Sequence, residues 1–105
     1  MQTILKLRDL ADANPTNAEA QYHLGVFSWN TGQFDKAMDR FRNTIALDPE
    51  GYPEAYAFLG RAYATLDSLP QAIKALEKYQ SLVKDSTTIQ EVEVFLTDIK
   101  KKHNQ

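Results

Sequence analysis

From Ala18 onward, apolar residues recur at helical spacing, and the pattern breaks at regular intervals. Ala20, Leu24 and Phe27 stand at i, i+4 and i+7 within residues 18–30, which predicts a first helix. Thr16-Asn17-Ala18-Glu19 fits a capping box ahead of it, with the Thr16 hydroxyl accepting from a free backbone N–H. Gly32 supplies a turn that can take positive φ. Phe34, Ala37, Met38, Phe41, Ile45 and Leu47 then mark a second amphipathic helix. Asp48-Pro49 ends it, because proline disfavours a helical residue before it and lacks an N–H.

The same design follows again. Pro53 is harmless in the first turn of a third helix, whose stripe is Ala55, Leu59, Ala62 and Tyr63. Asp67-Ser68 makes the next turn, with Ser68 as cap of a fourth helix carrying Leu69, Ala72, Ile73, Leu76 and Tyr79. No glycine stands at this second turn, so a looser or differently shaped turn is expected there. From Ser86 a further stripe runs through Val92, Phe95, Leu96 and Ile99, with capping boxes at Thr87–Gln90 and Thr88–Glu91. At the other end, Thr3 to Asn14-Pro15 has Leu7 and Leu10 at core positions, and Asn14-Pro15 imitates Asp48-Pro49.

The two central units are copies of one another. Glu19-Ala20 returns as Glu54-Ala55, Leu24-Gly25 as Leu59-Gly60 and Ala37 as Ala72, each pair separated by 35 positions. A glycine inside a helix costs about 1 kcal/mol against alanine. Gly25 and Gly60 therefore point to close approach of a partner helix, and Ala37 and Ala72 are small for the same reason.

The run from Ala18 to Pro49 resembles a tetratricopeptide repeat. That family's pattern is met in order by Leu24, Gly25, Gly32, Phe34, Ala37, Phe41 and Pro49. The second unit matches with Tyr56, Leu59, Gly60, Tyr63 and Ala72, then departs. Leu76 replaces an aromatic, Tyr79 sits where a small residue is usual, and Lys84 replaces the proline. The usual period is about 34 residues, which puts a one-residue insertion around Glu50-Gly51-Tyr52. The resemblance covers about two thirds of the chain. It implies an all-α solenoid of helical hairpins, a superhelix with about five helices. The expected organisation is one repeat domain over 1–105. It comprises a half-repeat or cap helix at 1–15, repeats at 18–51 and 53–85, and a capping helix at 87–102. The leading half-repeat is either part of a longer solenoid or a free-standing cap.

Composition adds mainly exclusions. The chain has 105 residues and a formal net charge of −2, too weak to point to nucleic acid or an anionic membrane. Lys100, Lys101 and Lys102 suit the C-terminal end of a helix dipole without a nucleic-acid role. No cysteine is present, which excludes disulfides, zinc–thiolate sites and thiol catalysis. No apolar run approaches the roughly 20 residues of a membrane span. His23 and His103 lie in different elements without a carboxylate at metal-ligand spacing, so surface or groove histidine is the better reading. There is no phosphate-binding glycine loop and no nucleophile elbow. The reading is of a non-enzyme without cofactor or metal. Cytoplasm is the default compartment, with the periplasm or excision from a larger protein left open.

What the resemblance implies about function is a binding surface. In the family, first helices line a concave groove through the second, fifth, ninth, twelfth and thirteenth positions of each repeat. Here these are Glu19, Tyr22, Val26, Trp29 and Asn30, then Glu54, Ala57, Arg61, Ala64 and Thr65. Tyr22, Val26, Trp29, Asn30, Arg61 and Thr65 are the expected partner-binding residues, with Trp29 either an anchor or simply core. Some family members clamp a chaperone's C-terminal carboxylate with Lys and Asn at the fifth and ninth positions. Tyr22, Val26, Ala57 and Arg61 occupy those positions here, so that clamp is absent. The expected function is a protein- or peptide-binding adaptor or scaffold. The alternative is homo-oligomeric self-assembly through the solenoid ends.

Overall fold

The computed structural model describes residues 17–104, in which five α-helices follow one another. These are α1 (Ala18–Asn30), α2 (Phe34–Leu47), α3 (Pro53–Thr65), α4 (Leu69–Leu82) and α5 (Ser86–His103). They account for both expected hairpins and the terminal helix. The expected N-terminal half-repeat, with Leu7 and Leu10, lies outside the described residues. Two compact units result, the first ending at Ala55 and the second beginning at Tyr56 within α3.

In the first unit α1 packs along α2. Ala20, Leu24, Ala37, Met38 and Phe41 are buried, as the stripe requires. Phe34 and Leu47 are exceptions: they belong to the apolar pattern but stand at the two ends of α2, exposed. Gly25 faces the Phe41 ring, and a Cβ built on it would lie 2.8 Å from Phe41 Cε1. The glycine is thus required by an aromatic side chain of the partner helix. Buried polar groups are satisfied locally. Gln21 Oε1 accepts from Arg40 Nη1 at 3.3 Å and from Asn43 Nδ2 at 3.2 Å. The Thr44 hydroxyl donates to the Arg40 carbonyl one turn earlier, at 2.8 Å.

The start of α1 differs from the expected capping box. Asn17 is the N-cap, and its Oδ1 accepts from the Ala20 N–H at 3.0 Å. Thr16, the expected cap, lies outside the described residues. Glu19 is left to face His23 one turn on, Oε1 to Nε2 at 3.8 Å. The sequence reading gave His23 no carboxylate neighbour, and this pair corrects it.

The two hairpin turns are the same turn. After α1, Gly32 N–H donates to Trp29 O at 3.1 Å and Gln33 N–H to Ser28 O at 2.8 Å. After α3, Asp67 N–H donates to Ala64 O at 3.1 Å and Ser68 N–H to Tyr63 O at 2.8 Å. Each pair is the double bond pattern of a Schellman motif, which needs a left-handed residue just past the helix. Gly32 has φ 79° and Asp67 has φ 61°. The expected looser second turn is therefore corrected. Aspartate reaches the left-handed region where most L-residues do not. Ser68 does begin α4, but its side chain makes no capping hydrogen bond.

In the second unit α3, α4 and α5 share a core of Leu69, Ala72, Leu76, Val92, Leu96 and Ile99, with Tyr63, Ala64, Ile73 and Tyr79 packed against it. Gly60 faces Leu76 as Gly25 faces Phe41, and a Cβ there would fall 2.6 Å from Leu76 Cγ. The expected threonine caps of the last helix are also displaced. Asp85 is the N-cap, accepting from Thr88 N–H at 3.1 Å and from the Thr88 hydroxyl at 2.7 Å. These donors hold the Asp85 carboxyl below the usual carboxylate range, the hydroxyl contributing most. The basic residues 100–103 fill the last turn of α5, where the dipole favours them. Phe95 departs from its expected core position and is 40% exposed.

Candidate partner-binding site

Tyr22, Val26 and Trp29 follow one another at i, i+4 and i+7, which places them on one face of α1 with Asn30 beside them. All three are half-buried, and Asn30 is exposed. The Tyr22 ring sits in an aromatic group: its centroid is 5.0 Å from Tyr52, 5.9 Å from Phe41 and 5.6 Å from His23. Much of its surface thus serves packing within the first unit. Trp29 presents its ring edge-to-face with Phe34 at 5.0 Å and 80°. Phe34 is 51% exposed, so the pair forms an apolar surface at the hairpin end of the unit rather than core. Arg61 and Thr65 lie one turn apart on α3, both exposed. The Thr65 hydroxyl donates to the Arg61 carbonyl at 2.9 Å, so what it offers a partner is an acceptor.

The second unit holds a feature that pattern reading misses. An open cleft of about 230 Å³ is lined by Arg61 of α3, Leu76 and Tyr79 of α4, and Glu91, Val92 and Phe95 of α5. Ala57 completes its α3 wall. Its origin is visible in the 35-residue register. Position 22 of the first unit carries Tyr, stacked near Phe41; the corresponding positions of the second unit carry Ala57 and Leu76. Where the first hairpin has a ring beside Phe41, the second has the methyl of Ala57, and both Ala57 and Leu76 line the cleft. Comparing the two copies residue by residue is the signal that could have found the cleft. The walls from α5 could not be found that way, since that helix has no twin.

Among the described residues no three His, Cys, Asp or Glu side chains converge as a metal site would require. Also among these residues, no helix is long and apolar enough to cross a membrane.

Fold and site together define a helical-hairpin repeat protein of the kind that serves as an interaction scaffold. The chain belongs to the tetratricopeptide repeat family: two models of that repeat match, over residues 29–92 and 5–51. Two solved structures, described as crystal structures of MamA and of MamA protein, superpose with a TM-score of 0.79 and 25% sequence identity. They cover 96% and 95% of this chain, while the chain spans 57% and 52% of theirs. No curated protein sequence matches.

Proposed function

We propose that this chain is a non-catalytic adaptor that holds a protein or peptide segment on the concave face lined by first helices of tetratricopeptide hairpins. The observation that carries the reading is the Trp29–Phe34 pair, an aromatic surface with one ring half-buried and the other 51% exposed. Aromatic side chains held by neighbours lose little freedom on binding and dominate interface energies. Val26 and Asn30 flank Trp29 on α1, and Arg61 with Thr65 offers the equivalent face of α3. The absent chaperone clamp directs the reading toward partners with apolar side chains rather than a bare terminal carboxylate.

Affinity capture from the native source with wild-type chain and with Trp29→Ala, Asn30→Ala and Arg61→Ala tests this. Partners that are captured by wild type and lost from the variants are expected. The same partners recovered equally on all four chains would remove the reading.

A further inference from the structure

The cleft between α3, α4 and α5 has a size and a charge pattern that restrict what fits it. At about 230 Å³ it falls below the roughly 300–1,000 Å³ of pockets that enclose drug-sized ligands. It suits one large side chain. Its surface is mostly apolar, from Leu76, Tyr79, Val92 and Phe95, and Phe95 stands 40% exposed on α5. Two exposed charges of opposite sign border it on different helices, Arg61 on α3 and Glu91 on α5. The corresponding space in the first hairpin is adjoined by a side chain of this class, the Tyr22 ring beside Phe41.

We propose that the cleft is an anchor site for one large apolar side chain, Phe or Leu, of a partner segment that carries an acidic residue toward Arg61 and a basic residue toward Glu91. This rests on the adaptor reading and gives it a specific ligand class. The cap helix α5 then supplies half of the binding site as well as closing the core. Opposite charges on two different helices of the cleft fix the direction in which a segment lies, because reversing it sets like charges together.

The direct test uses short fluorescent peptides with a central Phe, Leu or Ala, flanked by Asp on one side and Lys on the other, in both orders. Fluorescence anisotropy should show Phe and Leu peptides bound in one order, and the Ala peptide at least about tenfold weaker. Ala57→Tyr restores the ring of the first hairpin and should lower binding by about tenfold or more with its helical circular dichroism retained. If that chain misfolds, Phe95→Ser, altered at an exposed position, reads the same loss. Arg61→Glu with Glu91→Arg should invert the preferred order. Equal binding of Phe and Ala peptides overturns the proposal, as does unchanged binding by both Ala57→Tyr and Phe95→Ser. A concentration-dependent dimer that Ala57→Tyr dissolves also overturns it, by making a second copy the occupant. Trp29-dependent capture with no peptide binding would retire the cleft and leave the adaptor reading intact.

Discussion

The Phe41 ring occupies the place a side chain at residue 25 would need: a Cβ on Gly25 would lie 2.8 Å from Cε1 and 3.0 Å from Cδ1. Phe41 is fully buried, so the ring cannot swing away cheaply. The same opposition recurs between Gly60 and Leu76. The helix tolerates each glycine because the alternative is overpacking.

Gly25→Ala separates these two effects. Alanine gains about 1 kcal/mol in helix propensity, while overpacking costs about 1–3 kcal/mol. Net destabilisation is expected, growing for Gly25→Leu, and urea unfolding measures it. In the Gly25→Ala background, Phe41→Ala should cost less than it does in the wild-type chain, because it also removes the ring that the new methyl meets. Additive losses in that double variant would contradict the contact.

Asp67 sits at φ 61° in the position held by glycine after α1. Asp67→Gly should therefore raise stability by up to about 1 kcal/mol, since a left-handed L-residue costs about 1–2 kcal/mol and glycine gives some of this back in the unfolded chain. Gly32→Ala should lower stability by a similar amount. Thermal melts of the two variants should move in opposite directions.

The Asp85 cap predicts an acid-sensitive start to α5. Its carboxyl is held below its ordinary value by Thr88. A depressed folded pKa means the carboxylate stabilises the cap at pH values above the unfolded value of about 3.9 and loses this as pH falls through the folded value. Amide exchange at Thr88 and Ile89 should quicken relative to the intrinsic rate across that window. In Asp85→Asn, which still caps but does not titrate, the pH response should flatten.

Trp29 is the chain's one tryptophan, and its neighbour Phe34 shields one edge. Phe34→Ala should shift Trp29 emission to the red and cost no more than about 1.5 kcal/mol, the upper range for an aromatic pair. An unshifted spectrum would mean that Phe34 does not cover the indole.

Much of this structure was legible in the chain because period and spacing record packing directly. The 35-residue recurrence located all four hairpin helices, and the glycines marked the helix contacts correctly. Errors arose where one residue can do another's work. The second turn was expected to be loose because glycine was missing, yet aspartate adopts the same left-handed backbone. Thr87 and Thr88 both fit a capping box, yet Asp85, two and three positions earlier, accepts from the Thr88 N–H and hydroxyl and is the cap. Phe95 reads as core because an apolar stripe does not distinguish a packed position from one that borders a cleft. The cleft was hidden for a different reason: it is made by what Ala57 lacks.

Between the two copies of the hairpin, then, one ring makes the difference. The first sets Tyr22 beside Phe41, where the second has Ala57 and Leu76. The second, truncated at a single methyl, keeps the same backbone and the same turn but exposes a hollow. The frame is present twice, and one subtracted ring is enough to make the two copies unlike.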